Sequence, residues 1–334
     1  MTVSILITGG AGFIGSNFIY YILSHSKYFK IINVDCMNYC STDMSNETIR
    51  KWIKKNNIES EYYFEQGDIK DYSFIKNLLT KYSINDIIHF AAQSHVDNSF
   101  GNSIQFTMDN IVGTHTLLEC CREYGKIERF IHISTDEVYG EVDMDNDGCI
   151  EKGVLNPTNP YAATKAGAEF LVRSYYHSFK LPIIITRGNN VYGPRQYPEK
   201  VVPAFISKLL KGEKCNIHGK GLSRRNFIHV NDVCEAIKTI LARGKINEIY
   251  NIGTENEYNV LEILQKLVAM IKHESDYLQY AEFIEDRLFN DFRYCINNNK
   301  LKELGWKEKK PFNEGLKETI EWYSNPDNIK IFTK

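Results

Sequence analysis

The run Ser4-Ile5-Leu6-Ile7-Thr8 passes directly into Gly9-Gly10-Ala11-Gly12-Phe13-Ile14-Gly15 and then into a helix-length segment. A buried strand, a turn with spaced glycines and a helix confine the start of the chain to a βα unit, whose turn brings backbone N–H groups and the positive end of a helix to one point. Gly9 permits the tight turn, Gly12 lets an anionic group approach the backbone, and Gly15 lets helix and strand pack closely. Such spacing alone is a weak signal. Asp35, closing the next apolar run, supplies a carboxylate able to accept hydrogen bonds from a ribose diol and to repel a 2'-phosphate. Together they read as a dinucleotide site that takes NAD rather than NADP.

Short β-branched runs at Val3 to Thr8, Ile31 to Asp35, Tyr62 to Glu65, Asp86 to Ala92, Arg129 to Thr135 and Ile183 to Arg187 read as strands. Helix-length segments near 13–26, 45–57, 72–82, 101–124 and 161–179 are long enough for crossovers, so the expected fold is α/β with a doubly wound parallel sheet. Solidly apolar strands fit burial on both faces. After Arg187 the rhythm breaks at Gly193-Pro194, Pro198 and Pro203. The expected division is a Rossmann domain over 1–190 with a returning segment at about 227–253, and a smaller C-terminal α/β substrate unit over 191–226 and 254–334. Phe227 to Leu241 and Ile249 to Gly253 read as the helix and strand of that return.

The 334 residues carry 40 basic and 42 acidic side chains, a net charge of -2, with no basic block. That argues against a nucleic-acid or anionic-membrane surface and for a small-molecule partner. No apolar run reaches the roughly 18 residues of a membrane helix, and Met1 to Leu6 runs into a strand without a charged leader, so the expected compartment is the cytoplasm. The eight cysteines form no CxxC pair and read as free thiols, and the nine histidines show no HExxH spacing, so no metal is expected.

A tyrosine followed four residues later by lysine puts both on one helix face, where the ammonium can lower the phenol's pKa and make it a base. Three such pairs occur: Tyr72/Lys76, Tyr161/Lys165 and Tyr176/Lys180. Only Tyr161 follows a helix-start signal, Asn159-Pro160, downstream of a strand ending Ser134-Thr135 at the expected cofactor crevice. The other two read as surface pairs. That strand continues as Asp136-Glu137, and two adjacent carboxyls can hold different pKa values, one an acid and one a base. Simple alcohol oxidation needs neither, whereas elimination of water needs both. Asp68 in Gly67-Asp68-Ile69 reads either as an adenine-side contact or as a helix N-cap.

These motifs, with Ser94-His95-Val96-Asp97, Ser134-Thr135-Asp136-Glu137-Val138-Tyr139-Gly140, Asn190, Pro198-Glu199-Lys200, Arg225-Asn226-Phe227 and Tyr250-Asn251-Ile252-Gly253, resemble an extended short-chain dehydrogenase/reductase, and among those a nucleoside-diphosphate-glucose 4,6-dehydratase. The resemblance implies that Tyr161, helped by Thr135 and Lys165, takes the proton of the glucose 4-hydroxyl, that Glu137 removes the C5 proton, and that Asp136 protonates the leaving 6-hydroxyl. Expected NAD contacts are Gly9, Gly12, Phe13, Ile14, Gly15, Asp35, Asn38, Asp68, Ile69, Phe90, Ala91, Ala92, Tyr161 and Lys165. Expected sugar-nucleotide contacts are Ser94, Thr135, Asn190, Lys200, Arg225, Asn251, Arg287 and Asn290, with Arg225 and Arg287 offering planar forks for a diphosphate. His95 reads as structural.

Gln93, Asn98 to Ser103 and Arg287 to Asp291 depart from the pattern of bacterial dTDP-glucose enzymes and resemble the eukaryotic branch, including plant UDP-glucose dehydratases. UDP-glucose is therefore the favoured substrate, with dTDP-glucose next. Asp109 stands where a threonine is common. The alternatives are an NDP-sugar 4-epimerase, which Asp136-Glu137 argues against, and a non-catalytic NAD-binding protein, which gains nothing from Thr135, Tyr161 and Lys165. The resemblance implies a homodimer through a two-fold four-helix bundle of the helices near 101–124 and 161–179, although their apolar positions equally suit packing on the sheet; a homodimer is expected.

Overall fold

The computed structural model describes residues 3–25, 29–145, 147–286, 289 and 291–332. Along the chain β1 (Val3–Thr8), α1 (Phe13–His25), β2 (Phe29–Asp35), α2 (Asn46–Lys55), β3 (Glu61–Gln66), α3 (Tyr72–Tyr82) and β4 (Asp86–His89) alternate regularly. Next come α4 (Val96–Gly101), α5 (Ser103–Phe106), a π-helical turn at Thr107–Val112, α6 (Gly113–Tyr124), β5 (Arg129–Thr135), a 3-10 turn at Asp136–Tyr139, α7 (Pro160–Phe179) and β6 (Ile183–Gly188). The remainder is β7 (Asn190–Tyr192), α8 (Val201–Lys211), β8 (Cys215–His218), β9 (Arg224–His229), α9 (Val230–Arg243), β10 (Ile249–Ile252), β11 (Glu257–Asn259), α10 (Val260–Ile271), β12 (Ala281–Ile284), α11 (Asn299–Glu303) and α12 (Phe312–Ser324).

Seven parallel strands pair in the order β10-β6-β5-β4-β1-β2-β3, a Rossmann-like doubly wound sheet. Ile5 and Ile7 of β1 pack towards α1 and α9, while Leu6 faces α3, α6 and α7, so the unbroken apolar strand has a core on each side. The order reverses between β1 and β4, and the crevice at their carboxyl ends is where such sheets bind ligands.

The run expected as one helix over 101–124 is instead α5, the π turn and α6. Within the π turn Asn110 exchanges two hydrogen bonds with the Gln93 backbone, accepting at 2.7 Å and donating at 3.1 Å, which draws this segment towards the end of β4. β4 stops at His89, three residues earlier than expected, and Phe90 to Ala92 turn along the sheet edge. β10 does return to the large sheet, beside β6. Phe227 to His229, expected as the start of a helix, belong to β9, which pairs with β7 and β11 in a separate three-stranded sheet. Together with the β8–β12 pair, α8, α10 and α12, that sheet surrounds a third core containing Phe205, Leu264 and Leu316.

Candidate active site

The first turn sets the geometry at one end. Gly9 has φ of +72°, and a Cβ there would lie 2.6 Å from Ala91 N; at Gly15 it would lie 2.4 Å from Gly9 O. Gly12 differs, since its nearest neighbour to a Cβ is Gly9 O at 3.2 Å and its open side faces a cavity. Gly10, not singled out from sequence, is crowded by side chains rather than backbone: a Cβ would sit 2.1 Å from Asn33 Oδ1 and 2.8 Å from Ile19 Cδ1. Asp35 accepts hydrogen bonds from Ala11 N at 2.9 Å, Met37 N at 2.8 Å and Ser41 Oγ at 3.2 Å. It therefore ties the glycine turn to the loop after β2 while lining the same cavity.

That cavity, about 250 Å³, runs along the carboxyl ends of the strands, and every expected NAD contact from Gly9 to Lys165, Asn38 and Ile69 included, is in its wall. Gly12 and the first turn of α1, Phe13 to Gly15, line it, and a helix N-terminus is suited to a pyrophosphate. Residues and shape fit a bound dinucleotide. Asp68 is there too, accepting from Lys70 N at 2.8 Å, and the cap of α3 is Asp71, so the N-cap reading of Asp68 is corrected. Asp109 also lines this end, held by Lys70, by Gln93 Nε2 at 3.0 Å and by Gln105 Nε2 at 2.9 Å.

A second cavity, about 510 Å³, meets the first at Phe13, Ile14, Ser94, Ile133, Ser134 and Tyr161. It extends past Asn190, Lys200 and Arg225 to Lys208, Asn216 and Tyr258. Tyr161, on the first turn of α7, lies at the junction, and Lys165, one turn further on, lines the first cavity. Lys165 Nζ donates to Ile133 O at 2.7 Å, and burial lowers its pKa to about 8. The expectation that Lys165 depresses the Tyr161 pKa is not met in this state: burial and the neighbouring Glu137 raise it, and only the Thr135 hydroxyl opposes them. The ammonium is spent on a carbonyl. The pairs Tyr72/Lys76 and Tyr176/Lys180 are surface contacts, each lysine 5.7 Å and 5.6 Å from its ring centroid.

The 3-10 turn after β5 divides the two carboxyls. Glu137 is in the cavity wall, its Oε2 receiving Asn159 Nδ2 at 3.0 Å, and burial raises its pKa. Asp136 lies behind the wall, accepting Asn189 Nδ2 at 2.7 Å and the Thr135 hydroxyl at 3.2 Å. Burial and Glu137 push its pKa up to about 7. Two carboxyls so placed can work as base and acid near neutral pH.

Of the expected substrate residues, Ser94, Thr135, Asn190, Lys200 and Arg225 line this second cavity. Lys200 Nζ donates to Ser94 O at 2.8 Å, joining the start of α8 to the loop after β4. Arg225 donates to Asp291 O at 2.9 Å and Phe292 O at 3.2 Å and stacks on Tyr294, so it also holds the 291–294 segment over the cavity. Asn251 does not join them and is a correction. It is wholly buried, accepting from the Tyr139 hydroxyl at 2.9 Å and donating to Cys149 O and Asn297 O, each at 2.9 Å. Arg287 and Asn290 lie outside the described residues. Sequence reading missed Asn189, buried Asp291, and Ser134, whose buried Oγ at the junction has no hydrogen-bond partner among the described residues.

A family model described as GDP-mannose 4,6 dehydratase matches residues 6–319. The chain belongs to that family, within the extended short-chain dehydrogenase/reductases. This family member is 44% identical to the dTDP-D-glucose 4,6-dehydratase of Dictyostelium discoideum, over 97% of this chain and 82% of that protein. It is 45% identical to a trifunctional UDP-glucose 4,6-dehydratase/UDP-4-keto-6-deoxy-D-glucose 3,5-epimerase/UDP-4-keto-L-rhamnose-reductase of Arabidopsis thaliana, over 97% of this chain but 48% of the plant protein, about half its length. The dTDP-glucose 4,6-dehydratase of Streptomyces venezuelae, solved with NAD, superposes with a TM-score of 0.89 at 35% identity, covering 98% of each chain. A UDP-glucose 4-epimerase from Thermotoga maritima also reaches 0.85 at 28% identity, over 96% of this chain and 99% of that one. The backbone therefore does not separate the two activities, and the side chains at the junction must.

Proposed function

We propose that this nucleoside-diphosphate-glucose 4,6-dehydratase, an NAD-dependent enzyme, acts on UDP-glucose in preference to dTDP-glucose. The product is the nucleotide-linked 4-keto-6-deoxyglucose. The observation that carries the reading is the pair Asp136 and Glu137 on the turn that also presents Thr135 to Tyr161. NAD, when bound, supplies a hydride acceptor for C4, a hydride donor for C6 and a positive ring charge. Tyr161 takes the 4-hydroxyl proton, with Thr135 beside it and the Lys165 ammonium on the same helix face. Glu137 takes the C5 proton, made acidic by the new 4-ketone. Asp136 protonates the leaving 6-hydroxyl, linked to the cavity by the Thr135 hydroxyl. Each acid or base step is worth about 10^2 to 10^4 in rate.

Ser94, Asn190, Lys200 and Arg225 hold the sugar nucleotide, and the dinucleotide lies along Gly9 to Gly15, Asp35, Asn38, Asp68, Ile69 and Phe90 to Ala92. In this division 1–189 with about 230–253 serve mainly the coenzyme, and 190–229 with 254–334 mainly the substrate. The preference for UDP rests on Gln93, Asn98 to Ser103 and the 287–291 segment, which resemble the plant enzymes. Exposed Ile104, Met108, Val112, Phe170 and Phe179 on α5, the π turn and α7 support a homodimer across these helices. No helix among the described residues is long and apolar enough to cross a membrane, and eight free cysteines suit the reducing cytoplasm.

The test is incubation with UDP-glucose and with dTDP-glucose in D2O, followed by NMR and mass spectrometry. A 4-keto-6-deoxy product with deuterium at C5, formed faster from UDP-glucose, is the expected result. Faster turnover of dTDP-glucose reverses the base preference, and a galactose-configured product would put the epimerase reading in its place. Bound NADH that forms while dehydration stalls in Glu137→Gln with Asp136→Asn assigns the elimination to that pair. Near-wild-type product formation removes both from the mechanism.

A further inference from the structure

We infer that Asn189 is a positioning residue for the elimination, holding the Asp136 carboxyl in place and stabilising the anion it becomes on giving up its proton; this rests on the reading of Asp136 as the acid. Asn189 lies between β6 and β7, buried, with its backbone N–H donating to Ile252 O at 3.1 Å. Its side-chain Oδ1 accepts from Thr254 N at 3.0 Å, and its Nδ2 donates to Asp136 Oδ2 at 2.7 Å. Because a backbone N–H can only donate, Thr254 fixes which end of the amide is oxygen. The NH2 group is thereby compelled to face Asp136. Thr254 is itself anchored, its hydroxyl donating to Glu308 at 2.8 Å.

The chemistry gives this donor a task. Glu137 takes the C5 proton, the C–H electron pair becomes the C5–C6 double bond, and the C6–O bond breaks towards oxygen. That oxygen leaves as water with the proton from Asp136, which is left as a buried carboxylate. Two hydrogen bonds then face the new anion, Asn189 on Oδ2 and the Thr135 hydroxyl on Oδ1. The titratable or charged groups around Asp136 are Glu137 on its own turn, Tyr161 from α7, Arg225 from β9, and Cys149 and Cys295 from the segments below. Arg225 favours the anion through its charge, while the direct hydrogen bond to Oδ2 comes from Asn189.

A donor to a carboxylate favours its ionised form, so removing Asn189 raises the Asp136 pKa. The acid must be protonated to act, and dehydration therefore falls as pH rises through that pKa. The experiment follows kcat for dehydration against pH in the holoenzyme, with NADH formation in a single turnover as the parallel readout. The substrate is UDP-glucose or dTDP-glucose, whichever turns over faster. In Asn189→Ala the alkaline limb should move up by roughly one to two pH units, with the plateau lowered several-fold and NADH formation within about twofold of wild type. Asn189→Asp keeps the acceptor for Thr254 N, so the fold is preserved, and two carboxyls sharing a proton should move the limb further. A limb that stays put in both variants, in an enzyme where Asp136→Asn has lost dehydration, overturns the inference alone. Dehydration surviving in Asp136→Asn overturns the Asp136 reading and this inference with it.

Discussion

Asn159 joins the start of helix α7 to the carboxylate of Glu137: its Oδ1 accepts from Ala162 N at 2.9 Å while its Nδ2 donates to Glu137 Oε2 at 3.0 Å. One amide therefore caps the helix that carries Tyr161 and Lys165 and holds the carboxylate of Glu137, the proposed base, in the cavity wall. Asn159→Ala should lose the cap, costing about 1 kcal/mol of stability, and leave Glu137 without its donor. Asn159→Ser retains a capping oxygen but does not reach Glu137. We expect both to lower dehydration by at least about tenfold, less than the ~10^2 to 10^4 of losing the base itself, and only the alanine variant to lower the melting temperature appreciably. Bound NADH should still form in both. Equal dehydration in Asn159→Ser and wild type would remove Asn159 from the positioning of Glu137.

Much of this was legible because the fold and its chemistry are local in sequence. The strand-turn-helix at Ser4 to Gly15, the carboxylate ending β2 and the Tyr161/Lys165 spacing each sit within one or two elements. What stayed hidden depends on contacts across long stretches of chain. Asn251 carries a side chain of the right type, yet the partners that bury it come from residues 139, 149 and 297. Asn189 and Asp136 are 53 positions apart, and no periodicity links them. Asn159 was visible only as a helix-start signal, because its second partner lies upstream on the β5 turn. The raised Tyr161 pKa arises from desolvation, which residue spacing does not encode.

The glycines separate folding from binding. At Gly15 a methyl group would meet backbone atoms of Gly9 at 2.4 Å and of Gly10 at 2.8 Å, atoms that cannot step aside. At Gly12 it would meet only one atom inside 3.4 Å and would otherwise project into the cavity. Gly12→Ala should keep its stability to within about 0.5 kcal/mol of wild type and lose NAD affinity by tenfold or more. Gly15→Ala should lose both. Thermal unfolding together with the NAD content of the purified proteins tests this, and full NAD retention in Gly12→Ala would place the pyrophosphate elsewhere.

Buried Asp136 also makes stability depend on pH. Its folded pKa of about 7 is raised above that of the unfolded chain, so its contribution is fully present below about pH 4. The contribution is lost as pH rises to about 7 and stays lost above that. The isosteric Asp136→Asn does not titrate. Wild type should therefore lose stability relative to that variant across this window, by about 4 kcal/mol at most, with no further change towards pH 9. Urea denaturation of both proteins at several pH values reads the difference directly. A difference that is flat with pH would show that Asp136 is ionised in the folded enzyme at neutral pH.

Beneath the site, Arg187 and Glu169 form an ion pair with both side chains essentially unexposed. The guanidinium donates to the carboxylate through Nε at 3.1 Å and Nη2 at 2.6 Å, and through Nη1 to Glu151 O at 3.1 Å. Its far face lies 4.7 Å from the Tyr139 ring, at the end of the turn that presents Asp136 and Glu137. Removing one partner leaves an uncompensated charge in the interior, so Glu169→Gln and Arg187→Met should each cost about 3 to 5 kcal/mol. The double variant Arg187→Met/Glu169→Gln removes both charges and should recover most of that loss. Glu169 also supports the charged form of Lys165 one helical turn away, so Glu169→Gln should move the Lys165 pKa below about 8, which the Arg187 change alone does not do. A double-mutant cycle in urea measures the first effect, and the pH dependence of bound NADH formation in the surviving variants measures the second. Additive losses in the cycle would mean that the two residues act independently and that the pair does not brace the turn at Asp136–Tyr139.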